Sequence, residues 1–284
     1  MTASDLVDDS PGQPAPPRSL IVTVYGLYAR EVGGWISVSA LIRLLAELDV
    51  DAQAVRSSIF RLKRREILVA ERREGRAGYA LSPYARSVLE TGDRRIFERH
   101  AATDDGWVIA VFSVPESERQ HRHQLRSRLA WLGFGTVSSG VWIAPAHALD
   151  DTRDHLLRHG LDQYVDLFRA DYVAFGDPAE QVGRWWDLEA LQKLYDDFVA
   201  EFTPLAGRWS GVGRGALSDQ EAFIDYVHVL TAWRRLPYLD PGLPDTLLPA
   251  TWSGTTAADL FAALRSTLAD PAHEFASSLL TESS

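Results

Sequence analysis

The residues best suited to chemistry lie between Asp51 and Arg65, in the run DAQAVRSSIFRLKRR. On a helix advancing about 100° per residue, Ala52, Val55, Ile59 and Leu62 fall in one narrow apolar stripe. Gln53, Ser57, Phe60, Arg61 and Arg64 collect on the opposite side, with Arg56 on the flank. Guanidinium groups match the acceptors on guanine, a carboxamide matches adenine, and an aromatic edge such as Phe60 suits a thymine methyl. A major groove about 12 Å wide admits one such helix. Arg72, Arg73 and Arg76 follow on or beside the turn EGRAG, where a hairpin tip suits the minor groove or flanking phosphates. These nine residues are the expected contacts to double-stranded DNA.

Other constellations carry less. Asp151, His155 and His159 are spaced four apart on one helical face, with His147 just before them. Two His at that spacing can bind zinc, but a catalytic site needs a third ligand and a general base. A solvated helix face is the expectation, and no metal. His121-Arg122-His123 reads as a solvated helix start. Gly211-Val212-Gly213-Arg214-Gly215 precedes a helix, but no strand leads into it and its spacing is neither a dinucleotide nor a Walker fingerprint. A flexible loop is the better reading there. Neither G-x-S-x-G nor H-E-x-x-H occurs, and no catalytic residue is expected.

Those side chains need elements to hold them. The 284 residues are 46% hydrophobic and 24% charged, the composition of a folded protein of about two domains. No run approaches the ~18 apolar residues of a membrane span. The start MTASDLVDDSPGQPAPPRS, with its acids and prolines, does not read as a targeting peptide. Cysteine is absent, which fits a reducing cytosol, so a cytoplasmic protein with no membrane partner is expected. Residues 18–99 hold 15 basic and 10 acidic side chains, whereas residues 100–284 hold 14 and 26. A basic segment on an acidic body suits one domain placed on a polyanion.

Residues 1–17 read as a disordered tail. SLIVTVYGLYARE opens a helix with Ser19 as N-cap, stopped by Gly33-Gly34, and Trp35-Ile36-Ser37 is an edge strand. Leu41, Leu44, Leu45 and Leu48 mark a second helix, Leu48-Asp49-Val50 a tight turn, and Asp51–Arg65 a third helix. Strands at Leu68–Arg72 and Tyr79–Leu81 flank a Glu74–Gly78 turn, which completes the order of a winged helix-turn-helix. Tyr84–Leu89 and Arg94–His100 continue as helical linkers. Then strand Trp107–Val114, helix Ser117–Leu132, strands Gly135–Val137 and Val141–Ile143, helix Asp150–His159 and strand Tyr164–Phe175 give β-α-β-β-α-β, the ferredoxin-like order. The last part is mostly helical: Trp185–Phe202, a helix capped by Ser218-Asp219-Gln220-Glu221, and Ala257–Leu268. The proline-rich Tyr238–Pro249 between them reads as a loop.

The runs GWISVSALIRLLAELDVDAQAVRSSIFRLKRREIL, ERREGRAGYALSPYARSVLE, VFSVPESERQHRHQLRSRLAWLGFGTVSSGVWIAP and WRRLPYLDPGLPDTLLPATW together resemble the PaaX family of phenylacetate-catabolism repressors. The likeness spans about residues 18–282 in family order, and WLGFG…GVWIAP and DPGLP are its most specific segments. It implies a GntR-like winged helix, a central domain similar to Cas2 and a helical C-terminal domain. With the element order read above, the expectation is an α+β multidomain chain: a disordered tail at 1–17, a winged helix-turn-helix with its linker at 18–100, a Cas2-like ferredoxin fold at 101–177, and a helical effector and dimerisation domain at 178–284. The likeness also implies a homodimer that binds operator DNA, represses an aromatic-acid catabolic operon, and releases it when an aryl-CoA thioester such as phenylacetyl-CoA binds. Two residues depart from the family pattern: Asp49 and Glu66 each stand where glycine is expected.

Candidate contacts to such an effector lie outside the basic segment. On the helix from Asp219, Phe223, Tyr226, Val227, Leu230 and Trp233 form an apolar stripe that Arg234 joins, while His228 and Arg235 share another face. A guanidinium aimed at apolar surface is paired or reaching for an anion. Coenzyme A supplies phosphates, and Trp185, Trp186 and Trp233 offer flat apolar surface for an aromatic acyl tail. Arg184, Trp185, Arg208, Arg214, His228, Trp233, Arg234 and Arg235 are the expected effector set. Two readings compete. An acyl-CoA-handling enzyme with a winged-helix docking module needs an acid/base or nucleophile constellation, and none is readable. A Cas2-like nuclease needs a carboxylate closing the first ferredoxin-like strand, which here ends Phe112-Ser113-Val114-Pro115.

Overall fold

Pro17 starts the first helix of the computed structural model, which describes residues 15–98, 106–173, 175–211 and 217–281. Helix α1, Pro17–Val24, has Pro16 rather than Ser19 as its N-cap, and Ser19 is buried inside it. Proline is preorganised for that first position, where its missing N–H costs nothing. The helix continues through a π turn at Tyr25–Ala29 and a 3-10 turn at Arg30–Val32. Gly33 and Gly34, at φ 77° and 76°, end it. Every residue from Ser19 to Tyr25 is buried. Residues 1–14 of the expected tail lie outside the described residues.

Strand β1, Trp35–Ser37, leads into α2, Val38–Ala46, whose first turn is capped by the Ser37 hydroxyl accepting from Ala40 N. Asp49 takes the left-handed conformation at φ 58° and reverses the chain. The Asp51 carboxylate then accepts from the amides of Gln53 and Ala54 and starts α3, Ala52–Arg64. Strands β2, Leu68–Arg73, and β3, Arg76–Leu81, pair in register from Leu68–Leu81 to Arg73–Arg76. The turn is thus only Glu74 and Gly75, both at positive φ, shorter than the expected Glu74–Gly78. A two-residue turn of that kind matches the strand twist. β1 joins the far side of β3, giving the order β1-β3-β2. Helix α4, Pro83–Phe97, is one helix in place of two linker segments.

The central strands are β4, Trp107–Phe112, β5, Gly135–Ser138, β6, Val141–Pro145, and β7, Val165–Ala170, in antiparallel order β5-β6-β4-β7. Helices α5, Arg119–Trp131, and α6, Leu149–Arg158, complete the ferredoxin-like order. Val108, Ala110 and Phe112 of β4 pack with Leu125, Leu129 and Leu156 of the helices. Strand β7 stops well before Phe175, which is exposed.

The expected Trp185–Phe202 helix is two: α7, Pro178–Trp185, and α8, Leu188–Gly211. Trp186 is extended (φ −124°, ψ 147°), and the Asp187 carboxylate restarts the helix by accepting from Ala190 N at 3.0 Å. Helix α9, Asp219–Trp233, opens on the expected Ser218–Glu221 capping box. A single turn, α10, covers Leu236–Leu239. Helix α11 runs from Gly254 to Thr281 through Pro271, well past the expected Leu268.

These elements form two compact units. One holds the chain up to Phe97 together with Asp196–Arg235 and the segment from Gly254 on; the other holds Glu98–Tyr195 and Leu236–Ser253. In the first, α1 lies against α9, where the Thr23 and Thr231 hydroxyls bond at 2.7 Å. Tyr28 packs on Phe223 of α9 and His273 of α11, and Arg43 of α2 donates to the Leu279 carbonyl at 2.6 Å. Among the described residues, no helix is long and apolar enough to cross a membrane.

Candidate nucleic-acid interface

Helix α3 has two faces. Val55, Ser58, Ile59 and Leu62 are buried, with Ser58 replacing Ala52 in the expected stripe. Gln53, Arg56, Ser57, Phe60, Arg61 and Arg64 are all exposed, and Phe60 keeps 61% of its surface in solvent. Within the described residues no side chain of the polar five is held by a hydrogen bond or ion pair. The helix carries no carboxylate, and the adjoining Asp51 is spent on the cap. A positive, conformationally free surface therefore covers the outer side.

The hairpin arginines differ from those of α3 because each has a local partner. Arg72 Nη2 donates to the Gly75 carbonyl at 2.8 Å, across the turn. Arg73 pairs with Glu71 at 2.7 Å and lies over the Trp35 ring at 5.5 Å. Arg76 pairs with Glu74 at 3.1 Å. Of the three, Arg72 alone is exposed with only a backbone acceptor, so its charge is not cancelled by these contacts.

The expected effector residues fall in both units. Arg184 and Trp185 belong to the unit containing the central sheet. There Trp185 meets Trp107 edge-on at 5.7 Å and Tyr172 at 6.0 Å. Trp186 Nε1 donates to the Gly133 carbonyl at 3.0 Å, and its ring covers Gly135, where a Cβ would lie 2.7 Å away. Arg208, His228, Trp233, Arg234 and Arg235 belong to the other unit. Arg208 and Trp209 Nε1 both donate to Asp225. His228 is on the exposed side of α9. Trp233 is core: it stacks on Phe261 at 4.8 Å, meets Phe198 at 5.3 Å, and donates from Nε1 to the Ile96 carbonyl at 3.0 Å. Arg234, 6% exposed, is buried as its place on the apolar stripe requires. Arg214 lies outside the described residues.

The histidines of α6 are not a solvated face. His155 is 8% exposed, its ring 5.1 Å from Trp131 and 4.3 Å from His159. Arg128 Nη1 donates to its Nε2 at 2.9 Å. Burial first, then the nearby His159, Arg128 and Arg158, hold its pKa down to about 3. Among the described residues, no group of three or more His, Cys, Asp or Glu is placed to hold a metal. His121, expected in solvent, is half-buried and stacks on Tyr164 at 5.1 Å. The Tyr164 hydroxyl donates to Glu118, which lowers the pKa of that carboxyl. The pairing joins residues over forty positions apart, beyond the reach of helical or strand periodicity.

Three family models match successive parts of the chain. They are described as PaaX-like protein at residues 16–85, PaaX protein central Cas2-like domain at 100–182, and PaaX-like protein C-terminal domain at 186–278. The transcriptional repressor PaaX of Escherichia coli (strain K12) is 28% identical over 250 residues, covering 87% of this chain and 78% of that protein. A solved structure, an uncharacterised protein from Mycobacterium tuberculosis, shares the fold with a TM-score of 0.56 at 23% identity, over 89% of this chain and 99% of that one. From its first described helix to its last, this chain belongs to the PaaX family.

Proposed function

We propose that the chain is a DNA-binding transcriptional repressor. In this reading β1, α2, α3 and the β2–β3 hairpin are a GntR-like winged helix-turn-helix, with α3 in the major groove and the hairpin as the wing. The observation that carries it is the outer face of α3: six exposed side chains suited to base edges, the polar ones without a side-chain partner among the described residues. The name of the Escherichia coli relative supports the same reading. Gln53, Arg56, Ser57, Phe60, Arg61 and Arg64 face the bases, and Arg72 reaches a phosphate. Arg73 and Arg76 contribute charge while bound to Glu71 and Glu74.

The protein acts in the cytoplasm as a homodimer, which places two recognition helices on two half-sites. It represses an aromatic-acid catabolic operon of the phenylacetate type. An aryl-CoA thioester releases it by binding outside the reading domain, at contacts drawn from Arg184, Trp185, Arg208, Arg214, His228, Trp233, Arg234 and Arg235. No catalytic role is assigned to any residue. A tenfold release requires about 1.4 kcal/mol of coupling. A mobility-shift assay tests both parts, using duplex from the chain's own upstream region with and without phenylacetyl-CoA and other CoA thioesters. A shifted band relieved by one thioester is expected. Absence of any shift at low salt overturns the DNA reading, and a shift that no thioester relieves overturns the effector reading alone.

A further inference from the structure

Helix α5 is out of keeping with the acidic segment that contains it. Residues 100–284 carry 14 basic and 26 acidic side chains, yet Arg119–Trp131 has four arginines, two histidines and no carboxylate. Among the described helices, only α3 also combines four cations with no acid. Arg119, Arg122, His123 and Arg126 stand at i, i+3, i+4 and i+7 and so share one stripe. Arg119, His123 and Arg126 are exposed, and Arg122 is half-buried. The fourth arginine, Arg128, turns inward to His155.

The surrounding groups hold this stripe in place and neutralise only Arg122 of its three arginines. Arg122 pairs with Glu116 at 3.0 Å and donates to the Val114 carbonyl at 2.8 Å. Glu118 accepts from Tyr164 and lies 3.4 Å from His121, on another side of the helix. Arg126 donates to the Ser139 carbonyl at 3.2 Å, a contact that orients the guanidinium but leaves its charge. No carboxylate among the described residues pairs with Arg119 or Arg126. Such a stripe works against the helix. Cations in a first turn oppose the macrodipole, and like charges three or four apart repel by a few tenths of a kcal/mol each. Solubility is served better by mixed signs. A local rule broken without a visible structural gain points to binding. The stripe runs about 10 Å along the helix, about the axial length of three nucleotides of one strand. One convex stripe encloses nothing, so a small anion gains little from it, whereas a duplex presents a line of phosphates.

We propose that α5 is a second, sequence-independent contact to the backbone of double-stranded DNA, carried by Arg119 and Arg126 with Arg122 between them. The proposal rests on the DNA-binding reading above. Its test uses the full chain and a mixed-sequence duplex of about 40 base pairs, titrated at several salt concentrations. The variants are Arg119→Gln with Arg126→Gln, Arg119→Lys with Arg126→Lys, and Arg153→Gln as an exposed control on α6. The glutamine pair should flatten the plot of log affinity against log salt by about 2, since each lost phosphate contact removes about 0.9 from the slope. The lysine pair should keep the wild-type slope, because a phosphate accepts either cation, and the control should keep it too. Equal slopes for wild type and the glutamine pair overturn the proposal, as does an equal change in the control. Loss of coenzyme A binding by the glutamine pair at an unchanged slope also overturns it, in favour of a small-anion site. If α5 fails while Arg61→Gln still alters duplex preference, the DNA reading stands alone; a wild type that binds no duplex removes both.

Discussion

Arg61 and Arg72 separate the two kinds of contact a DNA reader makes. Arg61 projects from the outer face of α3 with no side-chain partner among the described residues, whereas Arg72 is tied to the turn carbonyl of Gly75. Arg61→Ala should cost about 1–3 kcal/mol and relax preference at one position of each half-site. Arg72→Ala should weaken all sequences alike and lower the salt slope by about 1. Competition binding against a set of single-base operator variants distinguishes the two, and identical profiles would undo the assignment. Arg73 is the poorer probe, since its loss also strips the cover from Trp35. The α3 face was legible in the sequence because helical period alone separates Val55, Ile59 and Leu62 from Gln53, Ser57 and Arg61. The partners of Arg73 and Arg76 were not, because strand register decides which side chains meet. His155 makes a second residue-scale prediction. Its folded pKa of about 3 lies below the ordinary 6.5, so the unfolded chain takes up a proton that the folded chain refuses. Stability is therefore complete above pH 6.5 and falls as acid is added, by up to about 1.4 kcal/mol per pH unit for one proton. His159 is lowered as well and acts in the same direction. Urea midpoints measured from about pH 7.5 to 5 should fall, and fall less in His155→Phe.

At the level of elements, starts and stops are set by single side chains. Asp51→Ala removes the acceptor for the Gln53 and Ala54 amides and should cost about 1 kcal/mol. Gly78→Ala should be worse, because its Cβ would lie 2.4 Å from the Trp35 ring and 2.5 Å from the Ile36 carbonyl. Thermal melts of both variants, scored against wild type, check the ranking. Asp49 and Glu66 adopt φ of 58° and 54°, a region that favours glycine. Asp tolerates that region better than Glu, so Glu66→Gly should raise stability and Asp49→Gly should change it less. The family segment WLGFG also gains a physical account: the Gly133 carbonyl accepts from Trp186, and a bare Gly135 lets that ring lie against the strand. Helix and strand types followed from period, but boundaries did not. The chain extends at Trp186 because Gly133 and Gly135, more than fifty residues earlier, make room for its ring. Helix α11 passes Leu268 because Ala272 and Ala276 go on burying one side of it beyond Pro271.

The whole molecule is interleaved in a way that composition could not show. Charge separates residues 18–99 from the rest, yet α1 and α2 bury their surfaces on α9 and α11. A fragment ending at Glu98 would expose Thr23, Tyr28 and much of the all-round apolar α1. It should show a lower melting temperature than the full chain and a tendency to aggregate, measured by circular dichroism and light scattering, and duplex binding that is weak for want of a stable fold. An equally stable fragment would mean that α9 and α11 add nothing to the reading domain. The same arrangement sets an order of events on the ribosome. The reading helix is made early, but the unit that holds it is complete only when α11, ending at Thr281, has emerged. At about 5–20 residues per second, that is a wait of about 10–40 s after Glu98 is synthesised. Until then the nascent chain carries a recognition surface on an unfinished support. A message cut short before α11 yields a chain whose recognition surface lacks that support, and so at best a weak competitor for DNA.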